Sequence, residues 1–161
     1  MQQSFVESFR LSPQQQHICA LLRAEGTLPY RIHYAVRLEG FLDVARLHRA
    51  LQRLVERNEI LRTSFPRLPG LTLPVQVIHE ELALPLEIHD TCSLSPCEQK
   101  QTLAQLREAQ RYQPRLLLEG PLWRVTLIVC DITCHWLLWD LSALNADTQT
   151  CHLLLHELSQ L

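Results

Sequence analysis

The apolar positions of this chain fall into two alternating periods. Ile18, Leu21 and Leu22 recur at three- and four-residue spacing behind Ser12-Pro13-Gln14-Gln15. This predicts a helix with Ser12 as N-cap and Pro13 at its first position, where a missing N–H costs nothing. Gly26 is the expected stop. Period two follows: Ile32, Tyr34, Val36 and Leu38 alternate with Arg31, His33, Ala35 and Arg37, a strand with one apolar face. After Gly40 the helical period returns. Val44, Leu47, Leu51, Leu54 and Val55 make a buried stripe capped by Asp43, with Arg46, Arg49, Arg53 and Glu56 outside. Asn58 marks its end.

Ile60 to Phe65 reads as a short strand. Pro66, Pro69, Gly70 and Pro74 mark a loop. Val75–Ile78 and Leu86–Ile88 read as further short strands. Ser95 with Glu98 three residues on is a capping box that opens a helix to about Arg111. Pro114 stops any continuation, and Gly120-Pro121 makes a turn. Leu122 to Val129 and Cys134 to Leu141 flank a four-residue turn and predict an antiparallel hairpin. The second strand is almost wholly apolar, as a central strand would be. A last helix runs from about Thr150 to Leu158. Residues 1–10 are expected to be an extended lead-in to a domain spanning 11–161. The order predicts an α/β fold, a mixed sheet flanked by helices.

Composition narrows the function. The chain is 47% hydrophobic and 20% charged, with a formal net charge of −2. That gives no electrostatic case for nucleic acid, and the arginines of the second helix read as a solvated face. No apolar run reaches membrane-span length. The N-terminus lacks the basic start and apolar core of a signal peptide, so a cytoplasmic location is expected. The six cysteines have no CxxC spacing and read as buried free thiols.

Candidate chemistry centres on the turn after the last strand, which holds Ser142, Asn145, Asp147 and Thr148. Strand ends of this kind gather backbone amides and side chains on a rigid sheet. A Ser–His–Asp arrangement from Ser142, Asp147 and one of the eight histidines has no distance fixed by sequence. His152 and His156 share a helix face at i, i+4 but lack a third metal ligand, so no metal site is expected. Cys134 and His135 alternate onto opposite faces. Trp136 and Trp139 read as core.

Several blocks resemble one family in its own order. Ser12-Pro13-Gln14-Gln15 resembles the "S-x-x-Q" opening of condensation domains from nonribosomal peptide synthetases. Leu38 to Leu47 is similar to their "L-x-G-x-L-D-x-x-x-L" passage. Arg57 to Phe65 resembles "RHExLRTxF", with Asn58 in place of histidine. Glu119 to Val125 resembles the "G-P-L-x-R" strand entry, and Leu153 to Leu158 the "LLxEL" helix. The resemblance implies one lobe of a chloramphenicol-acetyltransferase-like fold, the N-terminal half of a V-shaped pair. It places the active block "HHxxxDG" on residues 142–148, where only Asp147 matches. Ser142 and Ala143 stand for the two histidines and Thr148 for the glycine. The heterocyclisation variant "DxxxxDxxS" is broken too, with Ser142, Asp147 and Thr150 at its three positions. Alanine neither accepts nor donates a proton.

The resemblance therefore implies no catalytic residue here and a structural ion pair between Arg62 and Asp147. It implies a scaffold or docking role beside an adjacent synthetase domain or carrier protein, with self-association through a face the second lobe would cover. No cofactor is expected to bind directly. The alternative implied is the N-terminal part of a longer condensation or heterocyclisation domain, joining substrates carried on the phosphopantetheine of partner carrier proteins.

Overall fold

The computed structural model describes residues 7–25, 30–112 and 121–161. Gly26, Pro114 and Gly120 lie outside them. The elements are β1 (Glu7–Phe9), α1 (Pro13–Glu25), β2 (Arg31–Glu39), α2 (Val44–Arg57), β3 (Thr63–Ser64), β4 (Gln76–Ile78), β5 (Leu86–Asp90), α3 (Pro96–Tyr112), β6 (Trp123–Val129), β7 (Cys134–Ser142) and α4 (Thr148–Gln160). The expected α/β architecture is present, with its strands divided between two sheets. The larger has order β2-β7-β6-β5, the smaller β1-β4-β3.

β7 is central, as its apolar run required. It pairs antiparallel with β2 from Arg31 opposite Ser142 to Glu39 opposite Cys134, and with β6 on its other edge. β5 and β6 run parallel, a pairing that needs a crossover, and α3 supplies it. One sheet face presents Leu137, Trp139 and Leu141 with Trp123, Val125 and Leu127. These pack on Leu47, Leu51, Leu54 and Val55 of α2 and on Cys151 and Leu154 of α4. Trp123 and Trp139 stack with centroids 6.0 Å apart, and the Trp123 indole N–H donates to the Leu61 carbonyl at 2.7 Å. The opposite face lies toward α3, where Gln110 Nε2 donates to Thr126 Oγ1 at 3.0 Å.

Two local expectations are corrected. Glu59–Arg62 forms a 3-10 turn, leaving only Thr63 and Ser64 as strand. Thr63 Oγ1 closes that turn on the Glu59 carbonyl at 2.8 Å, a side-chain bond that competes with a ladder. Residues 7–9, expected as lead-in, pair with β4 and belong to the folded body. Of the six cysteines only Cys19 and Cys151 are buried; Cys92 and Cys97 are exposed.

Candidate functional site

The block at residues 142–148 sits where β7 ends and α4 begins. Its turn closes on itself. Ser142 is fully buried. Its Oγ accepts from the Leu144 N–H at 3.3 Å, and its carbonyl accepts from the N–H groups of Asn145 and Ala146 at 3.0 and 3.1 Å. A serine that bonds the backbone two residues on is a turn former. Among the described residues no hydrogen bond joins Ser142 Oγ to a histidine, so no serine–histidine relay is assembled there.

Ala143 is half-buried, and its N–H extends the β2–β7 pairing to the Tyr30 carbonyl at 2.9 Å. Leu144 is buried against Leu11, Phe65 and Leu122. Asn145 reaches across the turn: Nδ2 donates to the Ile60 carbonyl at 2.6 Å and lies 3.5 Å from the Thr63 carbonyl. Gln15 completes the frame. Its side chain forms a capping box with Ser12, and its Nε2 lies 3.4 Å from the Leu144 carbonyl. Three separated blocks of sequence thus converge on one turn.

Asp147 caps α4. Its Oδ1 accepts from both the N–H and the hydroxyl of Thr150 at 2.7 Å. These bonds, the N–H first, hold its carboxyl below the usual range. Thr148 is exposed in the first turn of the helix. Cys151 follows it into the core; burial, then the Asp147 charge, pushes its thiol up.

The expected Arg62–Asp147 pair does not form. Arg62 belongs to the 3-10 turn, which points its guanidinium back toward α2 and β4. Nε donates to the Val55 carbonyl at 3.2 Å, and the two terminal nitrogens reach the carbonyls of Glu56, His79 and Glu80. It ties off the C-terminal carbonyls of α2 rather than a carboxylate. The link between the two blocks exists, but Asn145 makes it.

The buried ion pair lies elsewhere. Arg31 Nε and Nη2 each bond an oxygen of Asp140 at 2.7 Å, a bidentate fork in which both side chains are 4% exposed. His33 Nδ1 stands 3.4 Å from Asp140 Oδ1. Arg124, opposite Asp140 across the β6–β7 ladder, approaches Glu87 at 3.5 Å. The cluster covers the α3-side face just below Ser142. The lone acid in the apolar strand, and Arg31 and His33 on the polar phase of the facing one, carried the signal for it.

The two-histidine reading of α4 also resolves. The Tyr34 hydroxyl and His152 Nε2 are 2.7 Å apart, with rings edge to face. His156 is exposed, and among the described residues no group of three potential metal ligands is found.

What the arrangement can do follows from these partners. Ser142 Oγ and Asp147 Oδ1 accept from the N–H groups of Leu144 and Thr150, and Ala143 has no side-chain group that moves a proton. It is a strand-to-helix corner, closed by Ser142 and capped by Asp147.

The condensation domain profile matches residues 7–161, and the chain belongs to that family. It has the fold of that domain's N-terminal, chloramphenicol-acetyltransferase-like lobe. Tyrocidine synthase 3 of Brevibacillus parabrevis is 36% identical over 96% of this chain, and bacitracin synthase 3 of Bacillus licheniformis is 30% identical over the same share. The chain spans only 2% of each of those two proteins. Two solved structures share the fold. The starter condensation domain of rhizomide synthetase RzmA superposes with TM-score 0.84 at 19% identity, covering 94% of this chain and 36% of that one. The first condensation domain of the calcium-dependent antibiotic synthetase, in complex with a substrate analogue, gives 0.85 at 16% identity, covering 97% and 38%.

Proposed function

We propose that this chain is a non-catalytic half-condensation module of a nonribosomal peptide synthetase, or of a hybrid peptide–polyketide one. It serves as a scaffold or docking surface for an adjacent domain or carrier protein. Two features support the reading: Ala143 aligns with the second histidine of the block the sequence resembles, and Ser142 Oγ and Asp147 Oδ1 are bonded within the corner itself. A corner satisfied in this way keeps the fold without offering a base to an acceptor amine. Work on carrier-bound intermediates in the cytoplasm is the setting this reading implies.

The test is a reconstitution with an aminoacyl-loaded donor carrier and an aminoacyl-loaded acceptor carrier, read by mass spectrometry of the acceptor. No amide product above the carriers-alone background is expected. Turnover that disappears in Ser142→Ala and Asp147→Asn would overturn the reading.

A second reading is favoured by the 36% and 38% coverage of the solved condensation domains. In it the chain forms one wall of a complete domain and accelerates amide formation by holding the acceptor amine in place. The phosphopantetheine of the carriers would then be the cofactor. Adding a separately expressed C-terminal lobe to the same assay distinguishes the two.

A further inference from the structure

The outward face of α2 carries a row of arginines that the fold leaves unpaired. Arg46, Arg49 and Arg53 stand at i, i+3 and i+7, one above the next on a single helix face. All three are exposed, and among the described residues none makes an ion pair. Arg57, one turn further on, is held by Glu157 at 2.9 Å. The whole chain has a formal net charge of −2, so this row is a local excess of positive charge.

The row borders a groove. Two hollows of about 340 and 180 Å³ share Arg46, Ala50 and Leu161, and together they run along α2 beside the end of α4. The floor is apolar: Leu42 and Leu161 are half-buried, and Phe41 is 86% exposed, the most exposed large apolar side chain among the described residues. The rim carboxylate, Asp43, is engaged as the cap of α2 through the Arg46 N–H at 3.0 Å.

An apolar floor beside cations at helical spacing selects its occupant by chemistry. The geometry points to a docking groove for an acidic amphipathic helix of a neighbouring protein domain. Its apolar stripe would lie on Phe41, Leu42 and Leu161, and its carboxylates would face Arg46, Arg49 and Arg53. The inference rests on the docking role above and names its surface. A polyanion such as nucleic acid fits less well, because the floor is mostly aliphatic, with Phe41 its single aromatic ring, and the chain as a whole is negative.

The test is a fluorescence-anisotropy titration of the 161-residue chain with three labelled probes, and a fourth, a Leu/Lys twin, for one charge-reversal variant. The three are an amphipathic Leu/Glu peptide of about five helical turns, its twin with every Glu replaced by Gln, and a single-stranded oligonucleotide. The Glu peptide should bind more tightly than the Gln twin, and the preference should shrink with salt. Arg46→Ala, Arg49→Ala and Arg53→Ala together should weaken the Glu peptide about tenfold or more and leave the Gln twin unchanged. Phe41→Ser should weaken both peptides. Arg49→Glu should instead improve a Leu/Lys twin, a gain that unfolding could not produce. Equal affinities for the Glu and Gln peptides, an unaffected triple variant, or arginine-dependent preference for the oligonucleotide would each overturn the groove assignment. Failure here leaves the amide-formation assay untouched, and turnover in that assay leaves the groove assignment standing.

Discussion

Removing one partner of the Arg31–Asp140 pair should be the most damaging single charge change in the protein. Asp140→Ala leaves a guanidinium that is 4% exposed without the carboxylate receiving its two 2.7 Å bonds. Arg31→Ala takes the bidentate partner from the acid, leaving His33 at 3.4 Å and Arg124 opposite it on β6. An uncompensated charge at this depth costs about 3–5 kcal/mol. Domain stabilities are about 5–15 kcal/mol, so each single variant should lose a large share of the total. Replacing both by apolar residues of similar volume, Arg31→Met with Asp140→Leu, removes the desolvation cost together with the attraction. It should lie well above the sum of the single losses, a coupling of about 2 kcal/mol or more. Urea unfolding followed by tryptophan fluorescence measures this directly, since Trp123 and Trp139 are buried against the same sheet. Single losses below about 1 kcal/mol, the scale of an exposed pair, would refute the reasoning. So would strictly additive ones.

Other outcomes follow from the same contacts. Asn145→Ala should destabilise by about 1–3 kcal/mol, because the part-buried Ile60 carbonyl and the buried Thr63 carbonyl lose this donor; hydrogen exchange at residues 142–147 should accelerate with it. Trp123→Phe keeps most of the apolar area but strands the Leu61 carbonyl, so a loss of about 1–3 kcal/mol is expected in urea titrations, beyond the smaller ring volume. Asp147, Asp131 and Glu98 all have lowered pKa values, held down by Thr150, Thr133 and Ser95 respectively. A depressed folded pKa contributes stability above the unfolded value, about 4, and that contribution is lost as pH falls through the lowered one. The Tm should therefore decline below about pH 4, less steeply in Asp147→Asn; a Tm that rises on acidification would contradict it. Analytical ultracentrifugation should detect self-association, driven by exposed Phe41, Ile132 and Leu153; a monomer at all concentrations tested would count against a covered apolar face.

Periodicity made the helices and the hairpin legible because each has one apolar face and a clear stop signal. Asp43, Ser95 with Glu98, and the apolar run of Cys134 to Leu141 acted in the structure as their chemistry required. The division into two sheets was not legible, since β1, β3 and β4 have only two or three residues each and are defined by partners far away in the chain. The block itself was found from its neighbours, but its internal bonding was not. Asp147 is taken by Thr150 in the first turn of its own helix, and Arg62 by backbone carbonyls at the end of α2 and just after β4, so the two side chains do not meet. Asn145, an ordinary turn residue by composition, became the long-range link because its amide faces the Ile60 carbonyl of the 3-10 turn and the Thr63 carbonyl that follows it.

The nine-residue alignment of β2 on β7 has a further effect as a device for folding fidelity. Side chains alternate faces with every residue, so a slip of β2 by one position would carry Arg31 and His33 into the layer now filled by Leu137, Trp139 and Leu141 and leave Asp140 behind on the other face. A slip of two restores the faces: in one direction it sets Arg31 directly opposite Asp140 and His33 opposite Leu138, in the other it sets Ala35 opposite Asp140. The charge cluster therefore works against odd slips above all, because these bury a charge without its partner. The corner at residue 142 inherits its position from the alignment that remains.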